Sequence, residues 1–360
     1  MTASTEHERS VYSRYAQAAR QAEDSLCCAV KYDTNLLAAI PDEIIERDYG
    51  CGDPTPYVRA GDTVLDLGSG GGKVCYIAAQ IVGPAGRVIG VDCNDEMLSL
   101  ARRHQAEVAR RIGYDVVDFR RGLIQDLRLD LDLLAAELAA RPVDSPSRWL
   151  EMRSFEEMLR RERPMVPDTS VDCVVSNCVL NLVRLDDRTR LLKEVFRVLR
   201  DGGRAAICDI VSDKDVPERL QQDTRLWSGC LSGAFREDRF LSAFAEAGFY
   251  GIRIADRQRE PWRTIEGIEF RSMTVVAYQG AEGPGHGGDC SVIYRGPFKK
   301  VELDDGRVYE RGLRADVCGA TLHQLKQEPY AELFLETGPQ SSMPLEPGGC
   351  GCDGVSNCSG

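Results

Sequence analysis

The run Asp66-Leu67-Gly68-Ser69-Gly70-Gly71-Gly72 constrains this chain more than any other feature. It follows an apolar stretch, residues 63–67, that reads as a short buried strand, and it opens a helical pattern over residues 73–82. A strand that turns through glycines directly into a helix brings backbone N–H groups close to a ligand, and a turn that tight needs glycine. The alternation then continues. Strands are predicted at 87–92, 118–123, 171–176 and 204–209. Helices are predicted from Asn94 or Asp95 to about 111, over 188–199 with Asp201-Gly202-Gly203 closing it, and over 238–247. Two more strands follow near 251–255 and 273–278. Short strands alternating with helices predict an α/β fold of the doubly wound type, a parallel sheet covered on both faces.

The glycine turn also limits the ligand. A dinucleotide fingerprint would place a third glycine at position 73, which is Lys73. Asp66 lies inside the turn, where it can accept a hydrogen bond from a cationic amino-acid ligand. Asp92 ends the next strand, where a carboxylate can bind both ribose hydroxyls. With Leu199-Arg200-Asp201-Gly202-Gly203 ahead of strand five, these features resemble the class I S-adenosylmethionine methyltransferases. The resemblance implies a Rossmann-like sheet and S-adenosyl-L-methionine as methyl donor. The donor-binding residues it implies are Asp66, Gly68, Gly70, Gly72, Asp92 and Asn177, with Ile124 and Gln125 after strand three near the adenine.

Organisation outside this core is read as follows. Residues 1–60 form an N-terminal helical segment, with a helix over 8–24 and a short one over 35–39. The methyltransferase domain spans 61–279 and is interrupted by a charged helical insertion at about 127–166. A glycine-rich linker over 280–289 leads to a small C-terminal module at 290–335, where residues 293–303 read as strand. Residues 336–360 form a Cys- and Gly-rich flexible tail. No apolar run is long enough to span a membrane and no secretory pattern opens the chain, so a cytoplasmic protein is expected. The net charge of −12 argues against nucleic acid as partner. A monomer acting on a small molecule is expected.

The cysteines narrow the substrate. Fourteen is a high count, and four histidines cannot readily build a His-rich metal centre. Without an oxidising compartment these cysteines are expected to be thiols. Cys75, Cys93, Cys173 and Cys208 lie in or beside helices and strands and are read as small core hydrophobes. Cys51, Cys178 and Cys230 sit instead in loops, and Cys178 falls at the carboxyl end of strand four, where open α/β sheets bind ligands. They are far apart in sequence and no CxxC exists, which argues against structural zinc. The tail triplet Cys350, Cys352 and Cys358 is closer to a metal pattern but lacks a surrounding fold.

The segments YGCG at 49–52, SNCVLNL at 176–182 and the small-residue loop around Cys230 resemble the arsenite methyltransferases, as does Cys27-Cys28 ahead of them. The resemblance covers most of residues 10–335, including YRGPFKKV and ADVCGAT in the C-terminal module. It implies that Cys51, Cys178 and Cys230 hold trivalent arsenic and that Cys27 or Cys28 forms a disulfide during turnover. Trivalent arsenic is soft and prefers sulfur. Three sulfurs leave its lone pair at the apex of a pyramid, free to face the sulfonium methyl, so no general base is needed. Methyl transfer formally oxidises the arsenic, so thiols must return electrons, with thioredoxin or glutathione as external reductant. The chain departs from the family where Lys73-Val74 follows the glycine turn, where Ala29 follows the paired cysteines, and in the long insertion. Two alternatives stand beside this reading. One is methylation of another thiophilic metalloid or an organic acceptor. The other is a non-catalytic metalloid- or zinc-binding protein on the same fold.

Overall fold

The computed structural model describes residues 3–26, 30–280 and 290–337. Cys27, Cys28 and the tail cysteines lie outside them. A nine-stranded sheet forms the centre: β1 (Thr63–Leu67), β2 (Arg87–Asp92), β3 (Val117–Arg121), β4 (Val171–Asn177), β5 (Leu199–Ser212), β6 (Phe235–Arg236), β7 (Tyr250–Arg257), β8 (Arg263–Ile265) and β9 (Ile268–Tyr278). Its main path runs β3-β2-β1-β4-β5-β9-β7, with β6 beside β5 and β8 beside β9. The first five strands are parallel, and β9 and β7 run antiparallel to their neighbours. The sheet is therefore mixed rather than wholly parallel. The order reverses between β1 and β4, which opens a crevice at their carboxyl ends.

Local chemistry explains these elements. Residues 64–67 are fully or almost fully buried on both faces, as a central parallel strand requires. Asn94 caps the helix Asp95–Ile112 by accepting the N–H groups of Glu96 and Met97, and Gly113 closes it at φ +92°. Two apolar layers cover the sheet. One centres on Val64, Tyr76, Val88 and Phe119, and the other on Leu65, Ile89, Val174 and Ile207.

The N-terminal helix is Ala3–Ala18, earlier in the chain than predicted, and it packs on Thr224–Trp227 and Asp95–Ile112. The third strand is shifted by a residue or two. The helix predicted over 188–199 ends at Val198, and β5 begins at once, so Gly202-Gly203 lie within the strand instead of closing the helix. The insertion forms two helices, Leu131–Ala140 and Pro146–Glu162. Its ends meet, because Met165 and Val166 donate backbone N–H groups to Arg128 and Leu127. It therefore leaves and rejoins the sheet at one place without disturbing β4.

Past residue 289, β10 (Cys290–Tyr294) lies between β13 (Arg314–Val317) and β14 (Phe334–Thr337), and β11 (Lys300–Glu302) pairs with β12 (Val308–Glu310). The strand predicted over 293–303 is broken, since Gly296 takes φ +115° and Pro297 follows it. This unit docks on the far edge of the main sheet. Tyr330 packs on Tyr250, and its hydroxyl donates to Asp304, which also accepts the N–H of Gly251.

Candidate active site

The crevice between β1 and β4 holds a cavity of ≈ 630 Å³, lined by the glycine turn, Asp92, Ile124, Gln125, Asn177 and Cys178. Gly68, Gly70 and Gly72 all take positive φ, at +68°, +51° and +89°. A side chain at Gly68 would run into Val179 at 2.5 Å, so the turn requires glycine twice over, for conformation and for space. The Ser69 hydroxyl is buried beside this turn and has no hydrogen-bond partner among the described residues. Asp92 accepts the N–H groups of Gly70 (2.9 Å) and Asn94 (2.8 Å), so it shapes the turn while lining the cavity.

Asp66 is 2% exposed, and its carboxylate accepts the Cys75 thiol at 3.2 Å. Burial pushes its carboxyl up to about 7; the Cys75 hydrogen bond opposes the shift, and Asp48 and Asp92 add to it. A buried carboxyl on this wall suits a cationic ligand group. Lys73, at the position where the family differs, is buried in an ion pair with Asp48 and lies 3.9 Å over the ring of Tyr32.

Cys51, Cys178 and Cys230 come together in one buried cluster, each at most 6% exposed. Cys178 is the central thiol. Its contacts with Cys230 and Cys51, which favour its protonated form, together with burial push it well above the ordinary thiol range. Burial also pushes Cys51 up, against the pull of the Cys178 contact. The Cys230 thiol donates to the Cys178 carbonyl at 3.0 Å and meets the Tyr15 hydroxyl at 3.9 Å.

The backbone at two of these cysteines is held in an unfavourable region. Cys178 has φ +64° and Cys230 φ +60°, a conformation that costs a side-chain-bearing residue on the order of 1–3 kcal/mol. Named bonds maintain it. Asp209 is fully buried; it accepts N–H groups from Leu180 (2.8 Å) and Asn181 (3.3 Å) just past Cys178, and from Ile210 (2.8 Å). The Asn181 amide donates to the carbonyls of Ile210 (2.6 Å) and Cys230 (3.3 Å). The buried Arg188 guanidinium donates to the carbonyls of Val183, Asn181 and Gly233, which ties the Cys178 loop to the Cys230 loop.

Asn177, expected at the donor, reaches the cavity but spends its carboxamide on the Cys51 loop. Its Oδ1 accepts the N–H groups of Cys51 and Gly52, and its Nδ2 donates to the Gly52 carbonyl and the Tyr32 hydroxyl. Cys208, read from sequence as core filler, belongs to the same thiol cluster. Asn181 lies inside the SNCVLNL segment without any mark of this role, Asp209, Arg188, Tyr15 and Tyr32 carry no sequence motif of their own, and only the fold brings them here. Among the described residues, a sulfur of Cys51, a sulfur of Cys178 and a carboxylate oxygen of Asp209 lie within 4.8 Å of one another. The described cysteines are all free thiols.

Comparison with known proteins sets this geometry in a family. A methyltransferase domain matches residues 59–248, and a domain of unknown function, DUF8838, matches residues 281–356. An arsenite methyltransferase from Aquipseudomonas alcaligenes is 30% identical over 349 residues, which span 92% of this chain and 90% of that protein. The human arsenite methyltransferase is 27% identical over 332 residues, spanning 89% of this chain and 78% of that one. Among solved structures, an arsenic (III) S-adenosylmethionine methyltransferase from Chlamydomonas reinhardtii superposes with a TM-score of 0.58 at 26% identity, covering 86% of this chain and 96% of its own.

Proposed function

The chain belongs to the arsenite methyltransferases, and we propose that it carries out their reaction at the thiols of Cys51, Cys178 and Cys230, beside a donor held in the adjoining cavity. One observation carries this reading. Cys178 lines the cavity, and at the same time its sulfur lies within 4.8 Å of that of Cys51 and its carbonyl accepts the Cys230 thiol.

Loading of the substrate follows from the thiol environment. Cys51 and Cys178 are held protonated near neutral pH by the surroundings that raise them. Arsenite carries three hydroxyls. Each thiol forms an As–S bond, and its proton leaves with one hydroxyl as water. Three such exchanges give a neutral trithiolate with no net release of protons. No general base is consumed. The pyramid keeps its lone pair at the apex, and the cavity wall at Cys178 faces that lone pair toward the donor.

S-adenosyl-L-methionine supplies an electrophilic sulfonium methyl when bound. The residues fit it: the glycine turn offers N–H groups, Asp66 a carboxyl for the amino-acid end, Asp92 a carboxylate for the ribose, and Ile124 and Gln125 a wall for the base. The work of the chain is proximity and in-line orientation. Three loops, each pinned by the Asn177, Asp209 and Arg188 bonds, fix the sulfurs, and burial excludes water from the reacting atoms. Cys27 or Cys28 takes part in the disulfide that resets the site, and thioredoxin or glutathione reduces it. We take the chain to work as a monomer in the cytoplasm, whose reducing conditions keep such thiols free.

The test is product analysis after incubation of the purified chain with arsenite, S-adenosyl-L-methionine and a thiol reductant. Methylated arsenicals are expected. Arsenite binding without methyl transfer would leave a metalloid-binding protein, and methylation of other acceptors alone would reassign the substrate.

A further inference from the structure

The buried cluster of cysteines contains a fourth sulfur that the reaction described so far does not use. Cys208 sits in the middle of β5, fully buried, in the cluster that holds Cys51, Cys178 and Cys230. It touches the loop that carries Cys51. A side chain at Gly52 would lie 3.0 Å from both the Cβ and the Sγ of Cys208, so the backbone next to Cys51 rests on this thiol. The Cys208 carbonyl accepts the N–H of Cys178 at 2.8 Å. Both cysteines are thereby registered against it.

The neighbouring strand fixes the relation further. In the β5–β9 ladder Cys208 pairs with Thr274 and Ile210 with Ser272. The Cys208 thiol meets the Thr274 hydroxyl at 3.1 Å, and a side chain at Gly52, next to Cys51, would lie 3.5 Å from the Ser272 hydroxyl. Ser272 and Thr274 are two residues apart and therefore share one face of the strand. The loop that carries Cys51 and the Cys208 thiol lie together over that face. Burial raises the Cys208 thiol, and its nearness to Cys51 adds to the shift. A cysteine that merely filled volume would need neither a hydroxyl partner nor a place against the substrate-bearing loop.

We propose that Cys208 is the thiol that first takes Cys51 away from the methylated arsenic. The proposal rests on the reading of Cys51 as an arsenic ligand. After methyl transfer the arsenic is pentavalent, carries one methyl and three sulfurs, and bears a positive charge. Cys208 loses its proton to solvent and attacks the Cys51 sulfur. The Cys51–Cys208 disulfide forms and the As–S bond to Cys51 breaks. Its electron pair stays on arsenic, which returns to the trivalent state bound by Cys178 and Cys230. Two thiols have been oxidised and one arsenic reduced by two electrons, so the step balances. Exchange with Cys27 or Cys28 and then with an external thiol of the thioredoxin or glutathione class restores both thiols.

The experiment is a single turnover of the full chain with arsenite and S-adenosyl-L-methionine in the absence of reductant, quenched with a thiol-alkylating reagent and mapped by mass spectrometry. A peptide linking Cys51 to Cys208 is expected, dependent on both substrates. Cys208→Ser, which keeps a hydroxyl for Thr274, should bind arsenite through three sulfurs by X-ray absorption, bind the donor, complete the methyl transfer and then stall. Cys208→Ala serves as a second variant should the serine disturb the fold. Sustained turnover by a folded Cys208 variant, with Cys51 linked instead to Cys27 or Cys28, would overturn the proposal. A wild-type chain that transfers no methyl to arsenite would overturn the underlying reading as well, and is recognised by the absence of methylated arsenic in the first turnover.

Discussion

The carboxamide oxygen of Asn177 accepts the backbone N–H of Cys51 at 2.8 Å, across 126 residues of sequence. The same side chain bonds both the N–H and the carbonyl of Gly52. Because Asn177 immediately precedes Cys178, one residue sets where two of the sulfurs proposed to hold arsenic lie relative to each other. Removing it frees the Cys51 loop while leaving Cys178 and Cys230 joined through Asn181 and Arg188. Asn177→Ala should therefore depress methylation of arsenite far more than methylation of methylarsenite. It should also cost about 1–3 kcal/mol of stability, the scale for stranding buried hydrogen-bonding groups. Denaturant titration and a two-substrate assay measure the two effects. Equal loss on both substrates would mean that Asn177 acts on the donor instead.

Much of this architecture was legible in the sequence because its signals are local. The glycine turn, Asp92 and the buried strands 63–67 and 87–92 each declare themselves within a few residues, and the order of strands and helices follows from them. The antiparallel β9 and β7 carry no local mark of their direction. The break at Gly296-Pro297 was visible as composition, but the apolar residues around it outweighed it in the reading. At the site, the three loop cysteines stood out because they occupy places where packing has little use for a thiol. Cys208 did not, because a strand buried on both faces gives its cysteine no feature to separate it from valine. The bonds of Asp209, Asn181 and Arg188 depend on which loops meet, which is a property of the fold alone.

Asp92 tests the donor side. Its carboxylate lines the cavity and accepts the Gly70 and Asn94 N–H groups. Asp92→Ala should weaken donor binding by roughly 1–3 kcal/mol, as expected for a charged hydrogen-bond partner, with arsenite binding nearly unchanged. Calorimetry with each ligand separately gives the answer. Unaltered donor affinity would remove Asp92 from the site.

Two buried carboxyls give the protein a pH signature. Burial pushes Asp66 and Asp209 each up to about 7. A carboxyl raised in the folded state binds its proton more tightly there than when unfolded. Its contribution to stability is fully present below the ordinary aspartate range and is lost as pH rises through about 7. Thermal stability without ligands should fall across that window. Donor affinity should move the opposite way, since a cationic amino-acid end favours the ionised Asp66, and Asp66→Asn should abolish that dependence. Donor binding that is flat across neutral pH in the wild-type chain would separate Asp66 from the cationic group.

The three cysteines proposed to hold arsenic should not be equivalent. Arsenite offers three exchangeable positions, so holding it fully takes three sulfurs. Methylarsenite has one position filled by carbon and takes two. In the structure the Cys178 sulfur lies within 4.8 Å of that of Cys51, and the Cys178 and Cys230 loops are bound directly to each other through the Cys230 thiol, Asn181 and Arg188. Cys51 joins from a separate loop before β1, through Asn177. Loss of Cys51 therefore leaves an intact pair beside the donor. Cys51→Ser should abolish methylation of arsenite and spare that of methylarsenite. Cys178→Ser and Cys230→Ser should abolish both, because either leaves a single sulfur and an unaimed lone pair. The assay offers each substrate to each single mutant, with donor binding as the check on folding. A folded Cys51→Ser that loses both activities would show that two sulfurs are not enough to aim the arsenic. Arsenite methylation retained by all three would place the arsenic at other residues altogether.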